Sequence, residues 1–337
     1  MSRPLGWGII GLGKHVEQRA GPALRQAAQG RLVAVCSRRF ESAREFARIY
    51  EGARAYDSFE GMLGNPALDA VYIATPNNLH ARQAIQAARA GKHVLCEKPM
   101  ALAEHDCEDM IGACEKNGVK LGLVLQNRHH PAHVEARRLI QAGEIGEIPV
   151  ARVQYGNIKL KAALAQGWRS DLERAGAGAL MGTGLHPIDL LRFLLGSEVE
   201  EVRAWCEPQP PRVDEIVYAI LRFANGACGT VVSGAIPASD NDAVLYGDKA
   251  KVNCKGTVGM SLSGTLEVAG RTVDLKMNFP AEDPESANYV RLIEAFNRCI
   301  LEDAKPDIPG YEGLQLCRIA NAILESSRRG RAVRISG

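Results

Sequence analysis

The sequence predicts an α/β chain in two parts: a doubly wound parallel sheet at the N-terminus, then an α+β domain with a mostly antiparallel open sheet. Three observations carry this. Short apolar runs alternate with helical stretches through the first 125 residues. Beyond them, strand-like segments crowd together and tight glycine turns join several of the pairs. The length, 337 residues, suits about two domains, each large enough for its own core. The boundary is expected near residue 125, giving domains over 1–125 and 126–337.

Leu5–Ile10, Leu32–Cys36, Ala70–Ala74, His93–Cys96 and Leu121–Leu125 are apolar runs, as expected of strands buried on both faces. Between the second and third, Ala43, Phe46, Ala47 and Tyr50 share one helical face of Glu41–Glu51. Ala103–Lys116 reads as another helix, stopped by Asn117-Gly118. Repeated strand–helix–strand units give a parallel sheet with helices on both faces. A helix near Ala132–Ala142 follows, then the turn-rich Gly143–Pro149. Val150–Tyr155, Val199–Cys206, Ile216–Phe223, Ala227–Gly234, Ala243–Gly247, Ser261–Val268 and Arg271–Met277 read as strands. Ala224-Asn225-Gly226 and Ala269-Gly270 fit hairpin turns between them. Helices over Asn288–Leu301 and Tyr311–Arg329 close the chain. Arg328-Arg329-Gly330-Arg331 is then a solvated helix end favoured by the helix dipole.

Composition removes several classes. With 46% apolar and 24% charged residues the chain is not largely disordered. A formal net charge of +2 gives no support to a nucleic-acid or membrane-surface binder, because both need concentrated positive charge. No apolar run approaches the roughly 20 residues of a membrane helix. Met1-Ser2-Arg3-Pro4-Leu5 leads into the first strand without the apolar core of a secretory signal. Nine scattered cysteines, none in a C-x-x-C pair, read as reduced thiols of a cytoplasmic protein. Cys96 reads as a buried strand residue rather than a nucleophile. His129, His130 and His133 lack acidic or thiol partners at ligand spacing, so they read as surface or helix-entry residues and no metal site is expected.

Gly11-Leu12-Gly13 follows the first strand and precedes a helix. The first glycine permits a tight turn, and the second lets the backbone approach a pyrophosphate at the helix N-terminus. Gly11, Gly13, Lys14 and His15 are therefore assigned to a dinucleotide, although the third small position of the motif is Val16. About 20 residues on, where an acidic side chain would bind a ribose 2′-hydroxyl, stand Cys36-Ser37-Arg38-Arg39. A hydroxyl followed by guanidinium groups suits a 2′-phosphate, so Ser37 and Arg38 point to NADP(H) in preference to NAD(H).

Further motifs follow the later strands. Thr75-Pro76-Asn77-Asn78-Leu79-His80 comes after Ala70–Ala74, and Glu97-Lys98-Pro99 after His93–Cys96. Then come Gln126-Asn127-Arg128-His129-His130-Pro131, Trp168-Arg169, and a glycine-rich run from Gly176 to Gly184 before His186-Pro187-Ile188-Asp189. Together these resemble the glucose–fructose oxidoreductase / inositol dehydrogenase family, the Gfo/Idh/MocA oxidoreductases, from Leu5 to about Ile335. The resemblance implies a Rossmann domain and hydride transfer between a nicotinamide and a sugar, polyol or related hydroxy or carbonyl compound. It implies that Lys98 contacts the reacting oxygen and often the cofactor, and that His186 exchanges the proton. Thr75, Pro76, Asn77, Asn78 and His80 would border the nicotinamide half, with Glu97 and Lys98 beside it. Arg128, Trp168, Arg169 and Asp189 would line the substrate pocket, Asp189 sharing a helical face with His186. A substrate-binding and oligomerising C-terminal domain, in a homodimer or homotetramer, is implied as well. An antiparallel sheet with one open face fits that expectation.

The chain departs from the family at one place. Members commonly carry an aspartate four residues before the histidine, where this chain has Gly182. Three readings stay open: catalysis by Lys98 and His186 with Asp189 as the orienting group, a pocket reshaped for another substrate, or a ligand sensor that keeps the fold without the chemistry.

Overall fold

The first sheet follows from runs that are apolar on both faces. β1 (Leu5–Ile10), β2 (Gly30–Cys36), β3 (Arg54–Tyr56), β4 (Ala70–Ile73), β5 (His93–Cys96) and β6 (Leu121–Leu123) pair in parallel in the order 3-2-1-4-5-6. β1 and β4 are buried along their whole length. The helices α1 (Gly21–Gln26), α2 (Phe40–Ile49), α3 (Phe59–Leu63), α4 (His80–Arg89) and α5 (Glu104–Lys116) make the connections. α5 buries Cys107, Met110 and Cys114 on one stripe and ends at Asn117, with Gly118 at φ +65°. The computed structural model describes residues 3–50, 52–260, 262–271, 273–280 and 286–335. Met1 and Ser2, the helix end expected at Glu51, the strand start expected at Ser261, and Thr272 lie outside the described residues.

In the second half, α6 (Pro131–Gln141), β7 (Val150–Gly156), α7 (Leu160–Leu164), α8 (Leu172–Ala175) and α9 (Leu185–Leu195) come first. β8 (Val199–Glu207), β9 (Ile216–Phe223), β10 (Cys228–Gly234), β11 (Ala243–Tyr246), β12 (Ala250–Lys255), β13 (Gly264–Gly270) and β14 (Asp274–Phe279) follow. α10 (Ala287–Leu301), α11 (Gly310–Arg329) and β15 (Val333–Arg334) complete the chain. The sheet order is 14-13-12-11-7-10-9-8-15, antiparallel throughout except where β10 runs parallel to β7. β9 shows the two-residue period of a half-buried sheet: Val217, Ala219, Leu221 and Phe223 are buried, while Tyr218 and Ile220 are exposed. β3, β12 and β15 are additions to the strands expected from sequence, and the last two expected strands begin three residues later, as β13 and β14.

Packing divides the chain into two units. One is Met1–Val124 with Tyr289–Cys317, and the other is Leu125–Asn288 with Arg318–Gly337. The sequence reading placed everything from 126 onward in one domain, whereas residues 289–317 pack with the first unit. The reason is a buried tryptophan on β1. Trp7 Nε1 donates to Asn297 Oδ1 at 2.9 Å, and its ring lies 5.9 Å from that of Phe296, both on α10. Among the described residues, no helix is long and apolar enough to cross a membrane. The nine cysteines are free thiols, and all but Cys228 are buried.

Candidate active site

Strand order places the candidate cofactor residues side by side. Gly11, Gly13, Lys14 and His15 follow β1, Ser37 and Arg38 follow β2, Thr75, Pro76 and Asn77 follow β4, and Glu97 and Lys98 follow β5. These four strands are neighbours in the order 2-1-4-5, so their carboxyl ends share one edge. Ligand crevices of such sheets lie outside that edge, where the order switches direction.

Gly11 has φ +96°, and a Cβ there would fall 2.5 Å from the Ala74 carbonyl oxygen, so only glycine fits the turn. At Gly13 an added Cβ would meet nothing within 4 Å, leaving the backbone open on that side. Tight turn and open backbone together fit the phosphates of a dinucleotide. Val16, the third motif position, is buried and begins a π-helical turn through Ala20. Close packing is met instead at Gly21, where a Cβ would sit 2.5 Å from Tyr50 Oη. Ser37 is half-buried, and Arg38 and Arg39 are exposed. The charge of Asp57, after β3, also reaches this edge: burial and Asp57 together push the Cys36 thiol up to about 11.

Glu97 joins three elements of this unit. Its Oε1 accepts from Tyr72 Oη at 2.6 Å and from His15 Nε2 at 2.7 Å. Its Oε2 lies 3.3 Å from the backbone N–H of Lys98. Burial works against the charged carboxylate, yet His15, Lys98 and the Tyr72 hydroxyl outweigh it and hold the pKa down to about 2. Burial and the Glu97 charge push the Tyr72 phenol well above its ordinary value. His80 is a buried brace in the loop expected to border the cofactor: its ring nitrogens face Pro99 O at 2.8 Å and Thr75 O at 2.9 Å. Its pKa is lowered, because burial outweighs those two carbonyls. The Thr75 hydroxyl donates to Gln83 Oε1 at 2.6 Å. Asn77 is buried and Lys98 half-buried.

In the second unit His186 lies in the first turn of α9, directly after a π-helical turn over Leu180–Gly184. It is buried, with the Tyr155 ring edge-on at 6.1 Å. The start of this segment is held from a distance. Asp214 accepts from Gly178 N at 2.6 Å and Leu180 N at 2.8 Å, which caps the helical run. Gly182 is exposed, and a Cβ there would meet only Leu160 Cδ1, at 3.3 Å, so an aspartate can be built at this position.

Asp189 is engaged within its own unit. Its carboxylate receives Arg128 Nη2 at 2.6 Å and Arg128 Nε at 3.0 and 3.1 Å, so the two candidate pocket residues bind one another. The pair is buried and the Arg128 guanidinium lies 5.4 Å above the Phe193 ring. Trp168 and Arg169 also meet each other, guanidinium over indole at 4.5 Å. Two of the three clustered histidines, expected at the surface or at helix entry, lie at the entry of α6 and are buried. His130 enters α6 as foreseen, accepting from Ala132 N at 3.1 Å, but it is fully buried. His133 is equally buried, with Nδ1 2.7 Å from Asn127 O and Nε2 2.8 Å from Thr257 Oγ1. Burial pushes its pKa down to about 3. Among the described residues no His, Cys, Asp and Glu side chains group in a way that could hold a metal ion.

Sequence reasoning missed Tyr72 and Asp214. A tyrosine inside the apolar run of β4 is a usable signal, since a buried phenol needs a partner. Asp214 offers none, because its partners lie more than thirty residues away in the chain.

The family described as "Oxidoreductase family, NAD-binding Rossmann fold" matches residues 5–124, and the "GFO/IDH/MocA C-terminal domain" matches 133–253. The chain is 28% identical over 333 residues to 1,5-anhydro-D-fructose reductase of Ensifer adhaerens, covering 98% of each chain. It is 30% identical over 314 residues to trans-1,2-dihydrobenzene-1,2-diol dehydrogenase of Danio rerio, covering 89% of this chain and 90% of the relative. Among solved structures, aldose-aldose oxidoreductase from Caulobacter crescentus complexed with glycerol superposes with a TM-score of 0.86 at 29% identity. That match covers 98% of this chain and 100% of the other.

Proposed function

Since the chain belongs to the GFO/IDH/MocA oxidoreductases, we propose that it oxidises a hydroxyl of a sugar, polyol or related compound, or reduces the matching carbonyl, with NADP(H) preferred and NAD(H) as the lesser partner. The carrying observation is the sheet edge that sets the open Gly13 backbone beside Glu97 and Lys98. A bound nicotinamide dinucleotide supplies the hydride acceptor or donor. Oxidation of an alcohol also releases a proton, and reduction leaves negative charge on the carbonyl oxygen. The Lys98 ammonium is assigned to polarise that oxygen, and His186 to give or take the proton. Imidazole titrates near neutrality, so one group serves both directions. Lys98→Ala is expected to lower turnover by about a hundredfold or more while dinucleotide affinity stays within about threefold. Nicotinamide absorbance and fluorescence titration read the two, and near-normal turnover rejects the assignment.

Ser37 and Arg38 support the NADP(H) preference, and Asp57 is the charge that opposes it. Paired titrations with NADPH and NADH decide: equal affinities reject the preference. The second-unit sheet supports a homodimer or homotetramer. Its outer face shows Trp205 and Tyr218, each 43% exposed, with Ile220 at 40%. Trp205 pairs across the strands with Tyr218, and Tyr218 with Val232. Such a contiguous apolar strip favours burial against a second copy. A monomeric mass by light scattering at micromolar concentration rejects it.

A further inference from the structure

Glu97, a buried charged group with three short contacts in the first unit, is also one that the sequence assigned to the cofactor directly. Its surroundings point to another task. The carboxylate is 8% exposed, and Oε1 already accepts two short hydrogen bonds, from Tyr72 on β4 and from His15 beyond β1. β4 lies between β1 and β5 in the sheet, so Glu97 reaches across one strand to make the His15 contact. The imidazole is further fixed by the Tyr289 ring, edge-on at 5.5 Å. His15 stands two residues after Gly13, where the backbone is open, and Glu97 stands next to Lys98.

We propose that His15 and Glu97 form a tether rather than two separate cofactor ligands: the carboxylate holds the imidazole, and through it the Gly11–Lys14 turn, in fixed register with the loop that carries Lys98. This rests on the proposed dinucleotide site and deepens it, by naming two positioning residues and their buried anchor, Tyr72. A turn rich in glycine has the greatest backbone freedom to lose on binding. Fixing it beforehand removes that loss from the binding step, so a broken tether weakens dinucleotide affinity without removing any contact to the dinucleotide.

The test is a double-mutant cycle on dinucleotide affinity in the full chain, with His15→Gln, Glu97→Gln and both together, titrated with NADPH and NADH. Each single variant is expected to weaken binding about tenfold, and the double variant by about the same factor, since one broken link cannot break twice. Losses that multiply to about a hundredfold overturn the tether, because they mean two independent contacts. An unchanged affinity in His15→Gln overturns it too. Tyr72→Phe, which removes only one bond to the carboxylate, serves if Glu97→Gln does not fold. It is expected to weaken binding about threefold in the parent chain and not at all in the His15→Gln chain; equal effects in both reject the tether. A second readout needs no cofactor. The His15 ring N–H proton is expected downfield by NMR in the parent chain and shifted upfield in Glu97→Gln, and its insensitivity to that change overturns the proposal. If the NMR signature is present but neither dinucleotide binds, the cofactor reading itself fails, and the tether's role with it.

Discussion

The two units hold their candidate groups by different means. In the first, short loops after parallel strands do the positioning, and the side chains are tied to neighbours on the same sheet edge: His15 and Tyr72 to Glu97, and His80 to Thr75 and Pro99. In the second, His186 rides on a helix whose start is capped by Asp214, and the next polar residue on that face, Asp189, is bound by Arg128 from another helical turn. Backbone topology alone brings the first set together. The second set exists only once distant segments have packed, and Arg192 Nη1, 3.8 Å from Asp189 on the same helix, is a longer local contact beside it.

That contrast predicts unequal penalties. Arg128→Met is expected to have the largest effect, about 3 kcal/mol, because the buried Asp189 carboxylate loses its bidentate partner and Arg192, 3.8 Å away, compensates only in part. Chemical denaturation of the variant measures this, and a loss below about 1 kcal/mol would break the contrast.

Next comes acid. His133 is neutral in the folded chain, with its pKa pushed from the ordinary 6.5 down to about 3. Below about pH 6.5 the unfolded chain therefore binds a proton that the folded chain refuses, so this contribution is lost progressively as pH falls toward 3. At pH 5 it amounts to about 2 kcal/mol. Glu97 has the later onset: its stabilisation is complete above the ordinary 4.5 and is lost as pH falls through about 2. Denaturation at a series of pH values on His133→Gln is expected to show a shallower slope between pH 6.5 and 5 than the parent chain; an equal slope removes His133 from the account.

The smallest effect belongs to the first unit. Tyr72→Phe deletes one buried hydrogen bond but leaves Glu97 its His15 partner, so the expected loss is about 1 kcal/mol in the same denaturation assay. A loss as large as that of Arg128→Met would make the two units equivalent after all.

Legibility in the sequence follows the same line. Apolar runs such as Leu5–Ile10 and His93–Cys96 are visible because strands buried on both faces need them, and the observed β1 and β5 have those bounds. β3 is three residues long, with one exposed and two half-buried, so it leaves no such run. Gly11 and Gly13 are legible because the turn chemistry is local. The π-helical turns before α1 and α9 are not, since an extra residue per turn leaves the apolar spacing nearly unchanged. Spacing placed Asp189 on the face of His186 but said nothing of Arg128, which lies 61 residues earlier and claims the carboxylate. The buried state of His133 was equally hidden, because Thr257, its partner, lies 124 residues on.

Trp7 bears on how this protein is made. The amide that accepts its indole proton, Asn297, lies 290 residues later in the chain. Synthesis at about 5–20 residues per second separates the two by tens of seconds. Until Asn297 has been made, the indole of Trp7 lacks the partner that it has in the folded chain.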